Sequence, residues 1–191
     1  MKASTRVVAV LALSMSAGFL AACGSGSGTS TVAGGSGEEA VTESLASPEK
    51  VSQAVGVAYQ AMAQSVAGFL SIKVDLNDAE PSQVASAAQL PRIRKDYDYF
   101  HLLVSTLDSD EQLGTGGRPS LSQLRALDSS MSQWLSVREA YLGDLSSCFG
   151  SASPIVFADC VDPVFVQYET QLVSTAGDMG QAFEAVENSG R

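Results

Sequence analysis

An all-α fold, an antiparallel four-helix bundle, is what this 191-residue sequence predicts, and three observations carry the prediction. Apolar residues recur at steps of three and four along four separate stretches, the period of an amphipathic helix. Each stretch is bounded by helix-capping residues, prolines or glycine-rich turns. Strand-like patterning is nearly absent: only Ile155-Val156-Phe157 could pass, and it is short. Helices of roughly 20–28 residues with short connections suit up-down packing around one shared core.

The first helix opens at Ser47-Pro48-Glu49. Ser47 can cap, Pro48 suits the first helical position and Glu49 favours the positive end of the helix dipole. Val51, Val55, Ala58, Met62, Val66 and Phe69 then form one apolar stripe running to about Lys73. Leu76-Asn77-Asp78-Ala79-Glu80-Pro81 reads as a turn into the second helix. Pro91 lacks a backbone donor and clashes one turn back, so the expectation is a short piece over 82–89, a kink or break, and helix onward to about Asp108. Beyond Pro91 the stripe is Ile93, Tyr97, Phe100, Val104 and Leu107.

The loop Leu113 to Pro119 leads to Ser120 and Gln123, which stand at capping-box spacing. The third helix follows, with Leu121, Leu124, Leu127, Met131, Trp134, Leu135, Tyr141, Leu142 and Leu145 on one face, ending at Cys148-Phe149-Gly150. Residues 150–161 read as a loop, and Asp162-Pro163 as the start of the fourth helix. Its stripe is Phe165, Tyr168, Leu172, Ala176, Met179, Phe183 and Val186.

Ahead of this body, Lys2 and Arg6 precede the apolar runs Val7–Leu13 and Met15–Leu20, the build of a secretory signal peptide. The run ends at Leu20-Ala21-Ala22-Cys23, which resembles the lipobox of bacterial lipoproteins. The resemblance covers residues 1–23 only. It implies that Cys23 receives a diacylglycerol on its sulfur, that 1–22 are cleaved off, and that two acyl chains hold the protein to the extracytoplasmic face of a membrane. Residues 24–37 are Gly/Ser-rich and, with the acidic stretch to Ser47, make a tether. As a flexible coil it would hold the 48–191 body on average roughly 25–30 Å from its anchor.

The formal charge is −10, and it falls to −12 once Lys2 and Arg6 leave. So acidic a body is not expected to bind nucleic acid, and anionic headgroups repel it, which leaves lipid on Cys23 as the route to the membrane. With Cys23 set aside, Cys148 and Cys160 pair naturally in an exported protein. Closing that loop contributes on the order of 3 kcal/mol.

Chemistry-bearing residues are sparse. His101 is the sole histidine, which rules out a di-iron carboxylate bundle and leaves no metal site to assign. As a ligand candidate it would serve haem in the bundle interior, opposite Met62, Met131 or Met179. No Cys-x-x-Cys-His and no Gly-x-Ser-x-Gly occurs. Asp108-Ser109-Asp110 begins like a calcium loop, but Leu113 stands where Gly is needed and Pro119 where Glu is needed. Gly114 to Arg118 could form an anion nest, although it lacks the P-loop pattern and a preceding strand. Arg92, Arg94 and Lys95, followed by Tyr97 and Tyr99, are the one basic cluster, and arginines beside tyrosines suit a protein interface. The sequence therefore points away from an enzyme and from any cofactor. It favours a membrane-anchored module that binds or scaffolds another exported protein through Arg92, Lys95 and Tyr99. The alternative is a small-ligand or haem carrier built around His101, Tyr97 and Trp134.

Overall fold

The computed structural model describes residues 47–74, 79–114 and 118–189, and Cys23 and the tether lie outside them. Four helices follow one another: α1 (Pro48–Leu70), α2 (Ala79–Ser105), α3 (Leu121–Leu145) and α4 (Pro154–Ser189). Short 3-10 turns occupy Asp110–Leu113 and Ser146–Cys148, and no strand occurs among the described residues.

Local signals set the starts of α1 and α3. The Ser47 hydroxyl accepts from the Lys50 backbone N–H at 3.3 Å, with Pro48 next. At α3 the capping box closes in both directions. Ser120 Oγ accepts from the Gln123 N–H at 3.3 Å, and Gln123 Oε1 accepts from the Ser120 N–H at 2.8 Å. Each closed cap satisfies backbone donors that the first turn cannot pair. The predicted stripes of both helices are buried throughout.

Two boundaries differ from the expectation. α2 is one continuous helix through Pro91. Leu90 and Ile93, on either side, are both in the core, so packing holds the two flanks in line. Pro91 itself faces solvent, and the carbonyl it leaves without a helical donor belongs to Ala87, a partly exposed residue that water can reach. α4 begins at Pro154 rather than at 162–163 and runs 36 residues with Pro163 inside it. Ser153 caps it, its hydroxyl accepting from the Val156 N–H at 3.3 Å. Pro163 and Asp159, the residue whose carbonyl it orphans, are both exposed.

The helices alternate in direction. Arg94 of α2 pairs with Glu139 of α3 while His101 pairs with Asp128, so one series rises as the other falls. Tyr168 of α4 reaches Asp144 of α3, and Gln123 of α3 reaches Ala185 of α4, again in opposite order. α1 packs on α2, α2 on α3 and α3 on α4. Tyr59 of α1 and Phe183 of α4 close the ring of helices, their rings 5.7 Å apart. Met62, Ile93, Phe100, Leu127, Met131, Trp134 and Leu135 are wholly buried at the centre. Cys148 and Cys160 form a disulfide with Cα atoms 5.7 Å apart, fixing the turn after α3 to the second turn of α4.

Candidate functional site

The outward face of α2 gathers the residues that the sequence marks for a partner. Val84, Ala88, Arg92, Lys95, Tyr99 and Leu102 follow one another at steps of three and four, so they form one line along the helix. Ala88, Arg92 and Lys95 are exposed, Val84 and Leu102 are 46% and 38% exposed, and Tyr99 is half-buried against the core. No acidic residue stands in that line. Its cations differ in freedom: the Arg92 side chain is 70% exposed and lies 4.0 Å from Asp96, at the limit of an ion pair, whereas Lys95 is exposed and pairs with no carboxylate among the described residues. Surface pairs of that length contribute little, so both cations remain available.

Flanking polar contacts hold the face in place. Asp96 accepts from the Ser65 hydroxyl of α1, tying α2 to that side. On the other side Arg94 makes a bidentate pair with Glu139 of α3, with Nε 3.0 Å from Oε1. The same guanidinium lies 5.8 Å from the Tyr97 ring centroid, and the Glu139 hydrogen bond holds its pKa above the ordinary arginine value. Thus Arg94, read from sequence as part of one basic cluster, is committed to structure, while Arg92 and Lys95 are not.

His101 lies on the surface, its side chain 52% exposed, with Nδ1 2.9 and 3.0 Å from the two Asp128 carboxylate oxygens. It shares that position with Tyr97, whose ring lies 5.8 Å away and whose hydroxyl donates to the Asp128 carbonyl at 3.4 Å. Tyr97 and Trp134 are buried, as are Met62, Met131 and Met179. The structure therefore separates His101 from the methionines considered as its counterparts. The resulting His–Asp pair clips α2 to α3.

The region resembling the start of a calcium loop is used for capping. Asp110 accepts from the Leu121 N–H, and Gln112 Oε1 accepts from the Asp108 and Ser109 N–H groups. Among the described residues no cluster of His, Cys, Asp and Glu is placed to hold a metal. Of the candidate anion nest, residues 115–117 lie outside the described set, and Arg118 Nη1 donates to the Leu113 carbonyl at 2.6 Å.

Sequence reasoning passed over Arg138 on α3. Its guanidinium lies 5.6 Å from the Phe69 ring centroid and 5.9 Å from that of Trp134, and these two rings meet edge-on at 5.3 Å. Burial lowers its pKa from the ordinary arginine value. The signal was available: a charged residue stands inside the α3 stripe, one turn from both Trp134 and Leu142. Compared with known proteins, the chain matches no family, no curated protein and no solved structure.

Proposed function

We propose that this protein is an extracytoplasmic lipoprotein, anchored through lipid on Cys23, whose helical body binds another exported protein through the outward face of α2. The lipobox resemblance at Leu20–Cys23 supports the anchor. One observation supports the binding role: the unbroken line from Val84 to Leu102, with apolar ends and Arg92 and Lys95 at its centre. An interface of that kind uses an aromatic and an arginine as anchors within an apolar surround. On a body of net negative charge, those two free cations select a partner with an acidic strip flanked by apolar side chains.

The test starts from the protein in the membranes of its own host. Wild type extracted in mild detergent is expected to migrate as a complex larger than the lone chain. Arg92→Glu with Lys95→Glu reverses the charge of the face without touching the core, and that variant is expected to migrate alone. A complex of unchanged size in the double variant overturns the assignment of this face. Cys23→Ala is expected to move the protein from the membrane fraction to the soluble fraction. Full retention contradicts the anchor.

A further inference from the structure

A second exposed line, on α4, has the build of the α2 line with the opposite charge. Ile155, Asp159, Asp162, Val166, Glu169 and Val173 follow one another at steps of three and four, and all six are exposed. Ile155, Val166 and Val173 are each more than half exposed. Residues 154–189 hold six acidic side chains and no lysine or arginine. Of the eight large apolar side chains exposed among the described residues, five lie on these two lines: Val84 and Leu102 on α2, and Ile155, Val166 and Val173 on α4. Exposed apolar surface is thus concentrated where the two opposite charges are.

The lines also match in length and spacing. Val84 to Leu102 and Ile155 to Val173 are each 18 steps along a helix, about 27 Å. Laid side by side in the same direction, Val84 comes level with Ile155, and Leu102 with Val173. Arg92 and Asp162 then stand within about 2 Å of one height, as do Tyr99 and Glu169, and Lys95 falls between Asp162 and Glu169. Asp96 and Asp98 stand to either side of the α2 line, and Asp96 is engaged by the Ser65 hydroxyl. A like pairing fails on charge, since α2 on α2 opposes cation to cation and α4 on α4 opposes acid to acid.

The topology decides how such lines can meet. Both α2 and α4 run opposite to α3, so they run the same way. Copies standing the same way up, as lipid anchors in one membrane would hold them, therefore present these helices to each other in parallel. Measured against α3, the two lines are offset by about 12 Å along the bundle axis, a step that a chain as long as residues 24–47 can span. Within one copy α2 and α4 occupy diagonal corners, because α2 packs on α1 and α3 while α4 packs on α3 and meets α1 through Tyr59 and Phe183. Their outward faces point apart, so one copy cannot satisfy its own lines. We infer that the partner of the α2 face is a second copy of this chain, which receives it on the α4 line from Ile155 to Val173. The inference rests on the α2 face being a binding surface and adds the identity of what binds there. Such a contact is heterologous and leaves a free line at each end, so copies join in an open row. One helix against one helix is a small interface, weak between free copies and strengthened by the raised effective concentration of a shared membrane.

The test uses the intact protein, purified in mild detergent, with a photoreactive residue at Ala88. The expected adduct has twice the mass of the chain, and its crosslinked peptide lies within residues 155–173 of the second copy. Arg92→Glu with Lys95→Glu, and separately Asp159→Lys with Asp162→Lys, are each expected to reduce that adduct at least tenfold. All four positions are surface positions, so the fold is retained. Mixed in equal amounts, the two variants are expected to regain the adduct, because each then offers the line that the other lacks. A shared micelle brings copies together whatever these charges are, so loss on reversal and recovery on mixing separate docking from crowding. A dimer adduct that maps outside α4, one that survives either charge reversal, or no recovery on mixing overturns the inference. If the pure protein gives no dimer adduct while position 88 captures a different protein in the host envelope, the second copy is overturned and the α2 face stands as a binding surface. No adduct in either setting overturns both.

Discussion

Arg138 and Tyr59 show how burial acts on single groups in this molecule. Burial disfavours the charged form of each, lowering the pKa of Arg138 and raising that of Tyr59, where Glu187 adds to the effect. For Arg138 the ring faces of Phe69 and Trp134, 5.6 and 5.9 Å from the guanidinium, stand against the cation and offset part of that cost. For Tyr59 the sign runs the other way. Its folded pKa stands above its unfolded value, so its contribution is complete below about pH 10 and is lost as pH rises past that point. Tyr97 and Tyr141 shift in the same direction, chiefly through burial. Tm measured from pH 7 to pH 11 is therefore expected to stay level with respect to these groups until about pH 10 and then fall, and Tyr59→Phe is expected to make the fall shallower. A Tm that rises across that range contradicts the burial account. Residues of this kind are half legible in a sequence. Tyr59 adjoins Ala58 on the α1 stripe and can be read as core, but Arg138 meets Phe69 from α1 and His101 meets Asp128 from α3. His101 and Asp128 are 27 residues apart, and nothing local fixes the register that joins them.

At the scale of the element, prolines separate what could be read from what could not. Ser47-Pro48 and the Ser120–Gln123 box act as starts, as their patterns require. Asp162-Pro163 carries the same pattern yet lies within α4, because Ser153-Pro154 carries it too and lies upstream. Once a helix is nucleated, each added residue gains a hydrogen bond, so the earlier of two competing starts prevails. Pro91 and Pro163 persist inside helices because both face water and packed neighbours hold the helix on either side. The disulfide adds what α4 lacks near its start, where Ile155 and Val156 are exposed and Phe157 is the one buried residue of the first turn. Phe149 stacks on Phe157 at 6.5 Å within that same corner. Cys148→Ser is expected to lower stability by about 3 kcal/mol, read as a drop in Tm or in the denaturant midpoint. An unchanged midpoint would mean that the bridge does not constrain the unfolded chain.

At the scale of the whole molecule, the described residues form an acidic bundle, and on its α2 face the line of Arg92 and Lys95 carries positive charge that no close ion pair takes up. The fold was legible because four stripes, their caps and the cysteine pair all agree on one architecture. The partner face was legible in part, since helical spacing aligns Arg92, Lys95 and Tyr99, whereas only the structure shows that Arg94 is taken by Glu139. No described helix is long and apolar enough to cross a membrane. The most direct test of the central claim is site-specific photocrosslinking in the envelope of the host. A photoreactive residue is placed at Ala88 on the α2 face, and at Gln167, an exposed position on α4, as the control. The account predicts one discrete protein adduct from position 88, lost when Arg92→Glu and Lys95→Glu are added, and none from position 167. Equal adducts from both positions, or none from position 88, would contradict it.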